Sequence, residues 1–260
     1  MPQITVEGCR FNYRFDGPEG APLVVFSNSL SSNLSMWDPQ VAAFREEFRI
    51  LRYDRRGHGG TEVTPAPYSI EQLGRDTAGL LAALDVQDAA FCGLSLGGMV
   101  GMWLGTNTPQ RLRKLVLCNT AAYMGPKSLW DGRIQSANEA GMESLWESTA
   151  ARWFTPAFRE RDPAAVEAVR QGFVSTPPTG YAGCCAAIRD MDQRESIAAI
   201  NLPTMVIMGE HDPSTPPEAG GHIVGKIRGA VPVVLPAAHL SNVEAAGEFN
   251  VALREFLLTA

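Results

Sequence analysis

The chain carries 260 residues, 45% hydrophobic and 19% charged, a balance that supplies one substantial core and suits a single globular enzyme domain. A formal net charge of -6, with no run of Lys and Arg to neutralise phosphates, argues against a nucleic-acid partner. No apolar run approaches the ~20 residues of a membrane helix, the N-terminus lacks the segments of a signal peptide, and five cysteines make a poor disulfide framework, so a cytoplasmic chain without membrane contact is expected.

Residues 4–7 and 11–15 read as two short strands around Gly8, a hairpin leading into a larger sheet. Residues 23–26 are continuously apolar and end in the polar loop 27–35; a run without alternation predicts a strand buried on both faces. Residues 48–53 repeat the pattern and end in Asp54-Arg55-Arg56-Gly57-His58-Gly59-Gly60. From Ser69 the spacing becomes helical, with Ile70, Leu73, Thr77, Leu80, Leu81 and Leu84 on one face and Ser69 and Gln72 placed as a capping box. A strand at 89–93, a turn at Ser95, a small-residue helix at 98–106 and a strand at 115–118 follow. Strands and helices alternating at such intervals imply right-handed crossovers and a mainly parallel sheet.

Between residues 122 and 196 no buried-strand run occurs. Trp130, Met142, Leu145, Trp146, Trp153, Val166, Val169 and Ile188 are instead spread through helix-like stretches punctuated by prolines, as in a helical cap inserted into a sheet domain. Strand patterns resume at 205–208 and 232–235, and 244–258 forms a closing helix. The expected organisation is an α/β core of residues 1–121 and 197–260, a mainly parallel central sheet flanked by helices, carrying a cap of residues 122–196. Cys92 and Cys118 fall in core strands, Cys184 and Cys185 read as small residues of a cap helix, and no metal-ligand cluster or cofactor motif is present.

Gly93-Leu94-Ser95-Leu96-Gly97 matches the G-x-S-x-G nucleophile elbow in its required setting, after a strand and before a helix. A serine hydroxyl is a weak nucleophile at neutral pH, so it needs a base in contact and an acid behind the base. Of four histidines, His239 lies just beyond the last strand, where the order Ser, acid, His expects the base; His58 sits in the glycine-rich loop and reads as a pocket-shaping residue, His211 neighbours the acid, and His222 falls in a surface-like helix. Asp212 follows the 205–208 strand within Gly209-Glu210-His211-Asp212, with Glu210 as its rival, while the preceding strand ends in Cys118-Asn119-Thr120 and offers no carboxylate. Backbone N–H groups should hold the developing oxyanion: Leu96, directly after the nucleophile, and Leu30, in the loop after the 23–26 strand.

With these residues placed, the sequence resembles α/β-hydrolases over its whole length, and within them the 3-oxoadipate enol-lactonases. The segments that carry the resemblance are Ser27-Asn28-Ser29-Leu30, Met36-Trp37-Asp38-Pro39-Gln40, Tyr53 through the glycine-rich loop, the elbow, and Arg152-Trp153-Phe154-Thr155-Pro156. Asn28-Ser29-Leu30, where many α/β-hydrolases have His-Gly, and the cap segment narrow the choice; Thr61 departs from the serine often found after the glycine-rich loop. The resemblance implies a small, anionic lactone as substrate and ring opening to 3-oxoadipate without a cofactor. It also implies a cation in the cap for the substrate carboxylate, for which Arg133 and Arg189 are candidates, and a pocket wall at Trp130. The rival readings are a general carboxylesterase, a carbon–carbon bond hydrolase on the same scaffold, and a non-catalytic small-molecule receptor. The triad cannot separate the first two from a lactonase.

Overall fold

The computed structural model describes residues 2–259. An antiparallel hairpin opens the chain, β1 (Gln3–Val6) and β2 (Cys9–Asp16), turning at Glu7 and Gly8. There follow β3 (Leu23–Ser27), β4 (Arg49–Tyr53), β5 (Ala89–Leu94), β6 (Leu112–Cys118), β7 (Thr204–Gly209) and β8 (Val231–Leu235). These strands pair in parallel, and β2 joins antiparallel to β4, in the order β1-β2-β4-β3-β5-β6-β7-β8. Strands β5 and β7 are buried at every position, which requires cover on both faces and accounts for their unbroken apolar runs. At the sheet edge β8 exposes Val231 and Val234, so a short apolar run does not by itself fix full burial.

Helices α1 (Asp38–Phe44), α2 (Ile70–Ala83) and α3 (Leu96–Asn107) make the first crossovers. Helix α2 starts where the sequence places it, because the Ser69 hydroxyl accepts the Gln72 N–H at 3.1 Å. Between β6 and β7 lie α4 (Lys127–Ala140), α5 (Glu143–Trp153), α6 (Pro156–Arg161), α7 (Pro163–Val174) and α8 (Pro178–Asp190). The prolines that punctuate this region sit at the first position of α6, α7 and α8, where a fixed φ and a missing N–H are no loss. Helix α4 packs on α8 and α5 on α7, and the rings of Trp146, Trp153 and Phe173 meet with centroids 5.5–6.5 Å apart.

After β7 come α9 (Pro217–Lys226), the single turn α10 (Ser241–Glu244) and α11 (Ala246–Leu258). The closing helix therefore begins two residues later than the apolar pattern indicates. Ala245 leaves the helical region (φ -119°, ψ 46°), and the Glu244 carbonyl is taken by Arg161 at 3.2 Å instead of continuing the helix. All five cysteines are buried and unpaired, Cys184 and Cys185 within α8. No helix among the described residues is long and apolar enough to cross a membrane.

Candidate active site

The carboxyl ends of β5, β7 and β8 each project one loop to the same side of the sheet. Ser95 follows β5 with φ 56° and ψ -116°, a conformation that a non-glycine residue holds only when its surroundings impose it. Two bonds do so: the Ser95 N–H donates to the Cys118 carbonyl at 2.9 Å, and the Thr120 hydroxyl donates to the Ser95 carbonyl at 2.7 Å. The flanking glycines are required by close approach, since a Cβ at Gly93 would lie 2.2 Å from the Gly97 oxygen and one at Gly97 would lie 2.1 Å from the Ser27 oxygen. Leu96 is the first residue of α3, so its N–H has no acceptor within the helix.

Asp212 and His239 meet at 2.8 Å, Asp212 Oδ2 accepting from Nδ1. This bond assigns the proton to Nδ1 and leaves Nε2 as the acceptor of the ring. Oδ2 also accepts from the Thr215 hydroxyl at 2.7 Å and from Asn119 Nδ2 at 3.1 Å, while Oδ1 takes the N–H groups of Ser214 and Thr215. Burial alone would raise the Asp212 pKa; the opposing charge and bond of His239, with the Thr215 and Asn119 donors, outweigh it and hold the carboxyl below its ordinary value. The rival acid Glu210 is exposed, with no bond to His239, and His211 and His222 are exposed as well.

The loop after β3 is held from the side away from the cavity. Arg55 Nη2 donates to the Asn28 carbonyl, the Ser29 N–H donates to Met36 Sδ at 3.3 Å, and the Ser31 N–H donates to His58 Nε2 at 3.1 Å. The Leu30 N–H, between them, makes no hydrogen bond among the described residues. His58 can accept only while neutral, and burial followed by the nearby Arg55 charge pushes its pKa down to about 3.

Ser95 and His239 line one cavity of about 230 Å³, closed on the sheet side by Ser29, Leu30 and Thr215 and on the other by Trp130, Arg133, Thr149, Arg152, Trp153 and Tyr181. Trp130 is nearly fully buried, donates its ring N–H to the Met124 carbonyl at 2.7 Å, and carries the Arg133 guanidinium 4.6 Å from its ring centre. The structure does not bring Arg189 to this cavity: it is paired with Asp131 at 2.8 Å and Asp190 at 2.6 Å on the outer side of the helices. Arg152 lines the cavity, bonded through Nη2 to the Thr149 hydroxyl at 3.1 Å and, among the described residues, without a carboxylate partner. A larger, open groove between α6 and 243–248 does not include Ser95.

Arg152, Asn119 and Glu244 are the residues that pattern reading passes over. Arg152 lies next to Trp153 on an amphipathic helix, and the recurrence of Trp146, Thr149 and Trp153 at helical spacing was the available signal. Asn119 stands where a carboxylate was sought and orients Asp212 instead, fixed in turn by the Ser241 hydroxyl at 2.6 Å. The buried Glu244 carboxylate accepts the Ala238 N–H at 2.9 Å together with the Thr155 N–H and hydroxyl, and Leu240 N–H bonds the Trp153 carbonyl at 3.1 Å. The end of α5 is thereby tied to the loop that carries His239.

A strained elbow serine and a buried His–Asp pair around one cavity, at the carboxyl end of a mainly parallel sheet, define a hydrolase of the α/β type. A family model described as the alpha/beta hydrolase fold matches residues 22–246, and the chain belongs to that family. It is similar to 3-oxoadipate enol-lactonase 2 of Acinetobacter baylyi, at 38% identity over 96% of this chain and 94% of that protein. The crystal structure of the enol-lactonase from Burkholderia xenovorans LB400 matches with a TM-score of 0.97 and 42% identity, covering 99% of this chain and 100% of that one. A hydrolase from Pseudomonas aeruginosa matches with a TM-score of 0.96 and 44% identity over 99% and 98% of the two chains.

Proposed function

We propose that this protein hydrolyses 3-oxoadipate enol-lactone to 3-oxoadipate, with Ser95 as nucleophile, His239 as base and Asp212 as the acid that orients and stabilises the imidazolium. Ser95 Oγ attacks the lactone carbonyl and its proton passes to His239 Nε2. The carbonyl oxygen becomes an oxyanion facing the Leu30 and Leu96 N–H groups. Collapse of that intermediate breaks the ring C–O bond and expels an enolate, which takes a proton and tautomerises to the ketone. Water then attacks the acyl-enzyme, again through His239, and frees Ser95.

The observation that carries the substrate assignment is the pair Arg133 and Arg152, both lining the cavity with Ser95 and neither paired with a carboxylate. A half-buried guanidinium without a counter-ion is a ready partner for a substrate carboxylate. Similarity to enol-lactonases over nearly the whole chain supports the same reading. In this view residues 122–196 act as a cap that supplies recognition, and residues 1–121 and 197–260 form the catalytic body. Five unpaired cysteines accord with a cytoplasmic setting.

Following the loss of ultraviolet absorbance of the enol-lactone tests the assignment. Turnover at least 100-fold faster, in kcat/KM, than on a neutral aryl ester is expected. Equal or slower turnover would make the protein a general carboxylesterase.

A further inference from the structure

Three arginines on and just after β4 are buried: Arg52, Arg55 and Arg56 are each 4% exposed or less. Arg52 is paired with Asp16 and Asp38, and Arg56 with Asp76. Among the described residues no carboxylate contacts Arg55, and the neighbouring Asp54 acts on it only through space. The adjacent Asp54 is committed elsewhere, accepting from Asn12 Nδ2, the Leu34 N–H and the Gly60 N–H. Arg55 Nη2 donates to the Asn28 carbonyl, while Nε and Nη1 are buried and make no hydrogen bond. Burial pulls the Arg55 pKa below its ordinary value, yet a guanidinium stays protonated at neutral pH.

A buried charge with no carboxylate in contact is a costly feature for a core to hold, so its location matters. The Asn28 carbonyl is the start of the loop that presents the Leu30 N–H, two residues and at most roughly 7 Å of chain away. The same charge, after burial itself, holds His58 neutral, and neutral His58 is what accepts the Ser31 N–H on the other side of Leu30.

We propose that Arg55 is a positioning residue for the oxyanion: it grips the Asn28 carbonyl from inside the core, and its charge, which no carboxylate contacts directly, favours the negative oxygen that forms at Leu30 when Ser95 attacks. The inference rests on the roles proposed above for Ser95 and Leu30. Because the negative oxygen exists only after attack, the effect belongs to kcat and not to KM, and it is the same for charged and neutral substrates.

The test compares Arg55→Met, which keeps the volume and removes the charge, with Arg55→Lys, on both the enol-lactone and a neutral aryl ester, with thermal unfolding of each variant. Arg55→Met is expected to lower kcat about 10-fold on both substrates, the factor for a full charge acting across roughly 10 Å of protein. KM should stay within twofold, Tm should be unchanged or higher, and Arg55→Lys should recover most of kcat. Wild-type kcat in Arg55→Met would overturn the proposal, and so would a loss of kcat matched by a lowered Tm and not rescued by lysine. Ser95→Ala run alongside separates the two readings. If it is inactive while Arg55→Met is normal, only this inference falls; if it stays active, the nucleophile assignment falls and takes this inference with it.

Discussion

On the sheet side of the cavity, Asp212, His239 and the loop that presents the Leu30 N–H are held by hydrogen bonds within the protein. Asp212 accepts from His239, Thr215, Ser214 and Asn119, Asn119 is fixed by Ser241, and the loop at Leu30 is gripped by Arg55, Met36 and His58. On the helical side the arrangement is the opposite: Arg133 rests on a tryptophan ring and Arg152 on a threonine hydroxyl, and neither has a counter-ion. On the proposed function, the difference separates two kinds of work. Groups that must meet a short-lived charge are held rigid in advance, whereas groups that recognise a stable anion keep their binding capacity unspent until the ligand arrives.

The sharpest way to break this comparison is to remove the sheet side. Ser95→Ala should lower kcat by about 10⁴-fold or more on any ester, and Asp212→Asn by about 10³- to 10⁴-fold, since the His239 tautomer would no longer be fixed. Steady-state assays within tenfold of wild type would place the chemistry elsewhere. Removing the helical side should look different in kind. Arg133→Ala or Arg152→Ala is expected to raise KM for the anionic lactone by about 10- to 100-fold, the size of a hydrogen bond to a charged group, while a neutral ester shifts less than about threefold. Equal losses on both substrates would show that these arginines hold the cap together instead.

A smaller effect sharpens the rigidity of the sheet side. His58 has a folded pKa depressed to about 3 against an ordinary 6.5, so the unfolded chain binds the extra proton between those values. Its contribution is therefore fully present above pH 6.5 and is lost as pH falls toward 3. Urea unfolding should show about 2 kcal/mol lost between pH 6.5 and 5 from this group, and His58→Gln, whose amide oxygen can accept the Ser31 N–H, should flatten that slope. A slope unchanged in the variant would show that His58 does not set it. The smallest expected effect is at Arg189: its partners are the exposed Asp131 and Asp190, so Arg189→Ala should leave KM for the lactone within about twofold.

The strands and the elbow are legible in the sequence because full burial leaves a continuous apolar run, and the end of such a run marks where a loop must begin. Ser95, Asp212 and His239 each follow a strand closely, so their convergence follows from parallel topology alone. Arg189 and Arg152 show where that logic stops. Both lie on helices of the 122–196 region, each directly after an apolar residue, and the packing of α4 on α8 and α5 on α7 decides which one turns inward. The carboxylates that claim Arg189, Asp131 and Asp190, lie 58 positions away and next door, and nothing in local spacing reveals the first. Asn119 is hidden for another reason: a neutral amide gives no sign that its task is to steer a carboxylate.

The most direct test of the account is covalent labelling of the native protein with a small organophosphonate ester, which reacts with a serine only where a base and oxyanion donors activate it. Intact-mass analysis should show a single adduct, peptide mapping should place it on Ser95, and His239→Ala should abolish it. An adduct on another residue, or labelling that survives the loss of His239, would contradict the claim that this serine and histidine form one catalytic unit.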